Sequence, residues 1–393
     1  TTGSPNTAVG ASALLSNTTG NLNTAVGKGA LQSATTAATN TAIGHSALGS
    51  VVTGESNTAV GSSSLVNNTA SNNTAVGRDA LNACTSGTQN TAVGAYAMDV
   101  TTTGSYSTGV GTNALGSNTT GTENTAFGSQ ALAVNTTGYS NVAVGRMALD
   151  ANTTANNNTA IGYAALTSNT TGTSNTALGQ VAATSVTTAN DITAIGKSAC
   201  LLNTTGLGNT AVGSACSRNN VTGNYNTGVG VNALNLNTGT GNTGIGSFAL
   251  DVNTSGTYNV ALGYSALGAN TTAANNVAIG YNALLLNTTG TSNVAVGGAA
   301  LDANTTADNN TAVGYSSLTA NTTGSENVGV GMNCMLANTE GVNNSAVGVA
   351  ALSNNTTGDH NTAMGRSALD QNTTANLNTA FGYHALYQNM TGA

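Results

Sequence analysis

The alternation of apolar and polar positions along this chain repeats every 17 residues. The first full copy reads N-T-A-V-G-A-S-A-L-L-S-N-T-T-G-N-L, from Asn6 to Leu22. Its marker glycine closes N-T-A-V-G at Gly10 and occurs 23 times, the last at Gly382. The step is 17 residues except from Gly61 to Gly77 and from Gly230 to Gly246, where it is 16. Both deletions fall in the polar stretch after the leucine position, which therefore reads as a turn, because turns tolerate length changes and packed segments do not. Each repeat position forms a column, named below by its first member. The residue before the marker glycine is always apolar (Val9, Val26, Ile43, Phe127, Leu178, Phe381), and the one before that is always Ala or Gly. Leucine stands four residues after the glycine in 18 copies, beginning at Leu14.

Seventeen residues are too few for a helix pair, and Asn-Thr-Gly clusters flank every copy. Thr7 alternating with Val9 predicts a short strand, and the Ala-Leu segment predicts a second strand or an extended edge. Asn-Thr-Thr-Gly supplies the return turn, its glycine being expected at positive φ. Two strands and two turns per copy describe one coil of a parallel β-solenoid, all-β, with residues 1–393 forming a single tandem-repeat array. At about 4.8 Å per coil, 23 coils predict a rod of roughly 110 Å. A lone coil cannot bury its own apolar residues, so stacking must do it. The Val9 and Leu14 columns are expected as continuous apolar ladders inside. The Ala8 column admits only Ala or Gly, so either the coil is thin there or another chain packs against it. Asn fills the Asn6 column in 21 of 23 copies, Ser107 and Ile192 excepted, which suits an amide ladder along the axis. Ala183, Cys200 and Ser217 replace leucine in three successive copies, and a local weak point or bend is expected there.

Composition narrows the function. Charged residues are 5%, against about 25% in ordinary globular chains. The net charge is −7 with only six Lys and Arg, so no basic surface exists for nucleic acid. No run of about 18 apolar residues predicts a membrane span. The chain starts at Thr1 with no visible signal segment and reads as an excerpt of a longer or processed product.

Candidate chemistry is sparse. His45, His360 and His384 occupy three different columns, so no ladder of metal ligands is expected. Cys84, Cys200, Cys216 and Cys334 read as small buried hydrophobes rather than a disulfide framework. Asp99, Asp150, Asp251, Asp302 and Asp370 share one column but never adjacent copies, which reads as a solvated face. No nucleophile elbow, zinc-protease or phosphate-loop motif occurs, so no enzyme activity and no cofactor is expected. Twelve N-T-T sequons, from Asn17 to Asn372, sit where a turn would suit glycosylation. The column after the marker glycine differs from the rest. It carries Lys28, Arg78, Arg146, Lys197 and Arg366 together with Tyr163, Tyr264, Tyr281, Tyr315 and Tyr383. An exposed stripe of Tyr and Arg is a candidate surface for a glycan or a protein partner.

The repeated N-T-A-V-G-x-x-A-L, carried by Asn6, Ala8, Val9 and Gly10 and their later copies, resembles the head repeats of trimeric autotransporter adhesins, the haemagglutinin type. Similar arrays occur in phage tail-fibre-like proteins. The resemblance implies a left-handed parallel β-roll, three chains about one axis, an extracellular or virion location, and contact with a host surface. The family repeat is shorter than 17 residues, and no neck, stalk or anchor sequence is present here. The function expected from pattern and resemblance together is a non-catalytic fibre shaft or adhesin-like filament that self-associates as a homotrimer or fibre. The alternatives are a scaffold without a receptor and an ice-binding solenoid built on the paired threonines Thr18 and Thr19.

Overall fold

The computed structural model describes residues 2–390. It is an all-β parallel solenoid with one coil per repeat. Twenty-three strands of three residues each run from β1 (Thr7–Val9) to β23 (Thr379–Phe381). Pairing is parallel and in register: Thr7 lies beside Thr24, Ala8 beside Ala25, Val9 beside Val26. The chain divides into two compact units, one ending at Ile192 and one starting at Thr193. The first holds β1 to β11 (Thr176–Leu178) and the second β12 (Thr193–Ile195) to β23. This boundary follows Ala183 and precedes Cys200 and Ser217, the copies without leucine.

Each coil has one strand, not two. The predicted Ala-Leu strand is a chain of tight turns. Ala30 N–H bonds Gly27 C=O at 3.3 Å, Ala34 N–H bonds Leu31 C=O at 3.2 Å, and between them Leu31 N–H reaches Ala47 C=O of the next coil at 3.0 Å. Leucine adopts φ near +50°, as at Leu31 (49°) and Leu267 (51°), so extended pairing is impossible there. The left-handed backbone costs about 1–2 kcal/mol for a side-chain-bearing residue. Full burial of a leucine returns about 1.5–3 kcal/mol, which offsets that cost.

The inside and outside of the strand are also reversed from expectation. The Ala8 column faces inward and is fully buried from Ala25 to Ala346, while the Thr7 and Val9 columns flank it on the exterior. The core is thus thin. Each coil contributes the strand alanine, a second alanine and one leucine, as with Ala278, Ala283 and Leu284. The restriction to Ala or Gly comes from this thinness, not from a second chain. Local exchange keeps the volume: where leucine becomes Met98, the nearby strand alanine becomes Gly109, whose Cβ would stand 2.9 Å from Met98 Cγ.

Two buried asparagine ladders close the coil. In the Asn6 column the amide oxygen takes the backbone N–H of the next copy, as Asn293 N–H to Asn276 Oδ1 at 2.9 Å. The amide nitrogen reaches across the coil to a turn carbonyl, as Asn276 Nδ2 to Gly290 O at 2.9 Å. In the Asn17 column the amides bond one another along the axis, as Asn304 Nδ2 to Asn287 Oδ1 at 2.8 Å, and cap their own turn at Ala307 O. Ser107 preserves the ladder because its hydroxyl accepts the Asn124 N–H at 3.2 Å. Ile192 has no oxygen to offer.

The two short copies keep the strands intact. Thr58, Thr74 and Thr91 pair in register across the first deletion, and Thr227, Thr243 and Val260 across the second. The missing residue is one threonine of the return turn: Asn57 Nδ2 still finds Ala70 O, 13 residues on instead of 14. The glycine of that turn is not at positive φ. The marker glycine is, at 125–145°, and a Cβ on Gly280 would lie 2.5 Å from the Gly297 carbonyl oxygen.

Candidate interaction surface

Because the coil interior admits only small residues and one leucine, every aromatic side chain among the described residues lies outside the buried core. The surface therefore carries the functional signal. The five tyrosines of the column after the marker glycine are all exposed. Of these, ring contact joins Tyr264 and Tyr281, stacked at 5.8 Å, and Phe248 meets Tyr264 edge-on at 5.7 Å. Arg146 lies over Tyr163 at 6.0 Å. Arg78 turns instead to Tyr96, at 4.5 Å, and to Asp79, at 3.4 Å. Tyr315 covers Gly298, whose Cβ would meet the ring at 3.4 Å. Tyr383 packs on His384 at 4.1 Å. The predicted stripe is thus a series of local clusters, the densest around Tyr264.

Beside that cluster an open groove of about 350 Å³ is lined by Phe248, Asp251, Val252, Gly268 and Leu285. It exists because the aspartate column falls to Gly268 between Asp251 and Leu285. Asp251 is not a freely solvated group. Burial pushes its pKa up, opposed by a hydrogen bond from the Asn235 side chain, and its Oδ1 is enclosed without a partner. Asp302 repeats the pattern, and Asp99 and Asp150 are raised by the same desolvation. The reading of this column as a solvated face is corrected accordingly for these four.

The cysteines are buried and free. Loss of solvent pushes Cys84 up to about 11 and Cys334 up to about 12, so neither is a thiolate nucleophile near neutral pH. Among the described residues no group of three or more His, Cys, Asp or Glu side chains is placed to hold a metal ion. Among the described residues no helix is long and apolar enough to cross a membrane.

The geometry bears on two further sequence candidates. Eleven of the twelve sequon asparagines, Asn118 through Asn372, are fully buried, with their amide nitrogens bonded to the ladder or to their own turn, so a glycan has no access. In the Thr18 column the hydroxyls are spent too: Thr271 Oγ1 donates to Thr288 O at 3.0 Å, and Thr288 to Thr305 O at 3.0 Å.

Two surfaces escaped the sequence reading. One is the outward face of the strands, with apolar residues in every copy of the Val9 column; Val9 and Phe127 are each 57% exposed. The other is the Leu22 column, just before the buried asparagine, which carries Tyr106, Tyr225 and Tyr258. The signal for the first was present as an unbroken apolar column, misassigned to the interior. The signal for the second was a Gly-Tyr-Gly-Tyr succession visible only once the copies are stacked.

No protein-family model matches this chain, and no curated protein matches it significantly.

Proposed function

We propose that the chain is a segment of a structural filament, a non-catalytic extracellular fibre shaft that associates with further copies of itself through its outward Thr-Val face. The observation that carries this reading is the Val9 column. It is apolar in all 23 copies, although it lies outside the coil and packs no core. Nothing within a lone chain rewards that uniformity, whereas burial against another copy does, at roughly 25 cal/mol per Å². The homotrimer implied by the repeat's resemblance is one arrangement that would bury this face. Sedimentation at micromolar concentration should give a multiple of 38.1 kDa. Lysines at Val296, Val313 and Val330 should reduce the assembly to single chains with the solenoid's circular dichroism retained. A monodisperse wild-type monomer overturns the proposal.

Ice binding is the second reading, supported by the outward Thr7 column, whose regular spacing on an in-register sheet could order water. It ranks below assembly because that column drifts to Val142, Val260, Val277, Val294 and Val328, and the hydroxyl is lost with each. Thermal hysteresis of the wild-type chain at micromolar concentration would reverse the ranking.

A further inference from the structure

We propose that Tyr225 and Tyr258 form a binding platform for an extended β-1,4-linked polysaccharide. Four successive members of the Leu22 column are Gly208, Tyr225, Gly241 and Tyr258. The backbone at this column is left-handed in every copy, and Ser, Asn, Gln, Glu and Leu all adopt it elsewhere, so the backbone does not require glycine. The rings do. A Cβ on Gly208 would lie 2.7 Å from Cδ1 and 2.9 Å from Cε1 of Tyr225, and a Cβ on Gly241 would lie 2.8 Å and 2.9 Å from the same atoms of Tyr258. Each ring is seated on the glycine of the preceding coil, and 66% of Tyr225 and 63% of Tyr258 remain in solvent. The two glycines of this column both precede a tyrosine; Tyr106, which follows Gln89, has no such seat.

The coil spacing fixes the distance between the rings. Tyr225 N–H bonds Leu207 O at 2.9 Å, Gly241 N–H bonds Asn224 O at 3.0 Å, and Tyr258 N–H bonds Thr240 O at 3.1 Å, so the column is pinned from coil to coil. Two coils separate the rings by roughly 9.6 Å. An extended β-1,4-linked chain presents the same sugar face at every second residue, at a disaccharide repeat of closely similar length. Alternate sugars would then lay their C–H faces on the two rings, one over Gly208 and one over Gly241, while the intervening sugar spans the coil between them. Aromatic faces favour such contact because their π-charge meets polarised C–H groups. An α-1,4-linked chain curls and cannot meet both rings.

The test uses the full chain with three hexaoses, two β-1,4-linked (of glucose and of N-acetylglucosamine) and one α-1,4-linked glucose hexaose, by isothermal titration. At least one β-linked hexaose should bind and the α-linked one should not. Tyr225→Ser and Tyr258→Ser should each weaken binding by about three- to tenfold, and together abolish it. Gly241→Leu keeps both tyrosines but unseats one ring, and should weaken binding as much as Tyr258→Ser. Absence of binding by both β-linked hexaoses at millimolar ligand, or unchanged binding in the double variant, overturns the proposal. So does a double variant that sediments as a smaller assembly than the wild type, since the rings would then be assembly contacts. The triple-lysine variant at the Val9 column should still bind, so a failure of the assembly reading and a failure of this one remain distinguishable.

Discussion

At the scale of single residues, the repeat is set by backbone conformations that most side chains avoid. The marker glycine combines a φ that L-residues rarely adopt with a close approach to the next coil's carbonyl. Gly280→Ala is therefore expected to cost about 1–3 kcal/mol or more, and Gly298→Ala, whose Cβ meets only a ring at van der Waals distance, about 0.5 kcal/mol or less. Equal shifts in thermal midpoint would refute this account of the marker. The cysteines give a second test. With their thiols held far above neutral pH and buried, all four should be silent to a thiol reagent at pH 8 in the native protein and react after unfolding. Prompt native reaction at Cys84 or Cys334 would mean that the coil opens locally.

At the scale of the coil, stability comes from a thin core and buried asparagine ladders rather than from charge. One ion pair, exposed Arg78 with half-buried Asp79, occurs among the described residues. The aspartates of the turn give the coil an unusual pH response. Desolvation raises Asp99, Asp150, Asp251 and Asp302, so in the interval above the ordinary carboxylate range near 4 the folded state holds more protons than the unfolded one. Their penalty is absent at low pH and grows as pH rises through the raised values. Acidification from pH 7 to about pH 4 should therefore raise the thermal midpoint rather than lower it. Asp251→Asn should raise the midpoint at pH 7 and flatten the dependence. A midpoint that falls on acidification, with the same slope in the variant, would show that other carboxylates dominate.

At the scale of the whole molecule, uniform repetition favours many weak contacts over one pocket, because every coil displays the same columns. On the proposed assembly, the Val9 column would offer such a contact to another copy. Its consequence is steep: a single lysine should weaken assembly little, while three in successive coils should abolish it. Sedimentation of the one-, two- and three-lysine series checks this, and a full loss from one substitution would point to a local contact instead. The seated tyrosine pair is the exception to uniformity, confined to four coils, and is proposed above for recognition rather than for assembly.

The 17-residue period, the parallel solenoid, the tolerance of the return turn to deletion and the asparagine ladder were all legible in the sequence, because each leaves a column of nearly invariant chemistry. Which way the columns face was not. Alternation along a three-residue strand says that Ala8 lies opposite Thr7 and Val9 but not which side is inside. Hydrophobicity alone favours valine inside, and only the narrowness of the coil, with leucine at φ near +50° filling it, puts alanine there. The same narrowness turned the Ala-Leu segment from a strand into turns and closed the sequons to glycans. Contacts between one copy and the next, such as Tyr258 on Gly241 or Met98 near Gly109, are long-range in sequence, and stacking of the coils decides them.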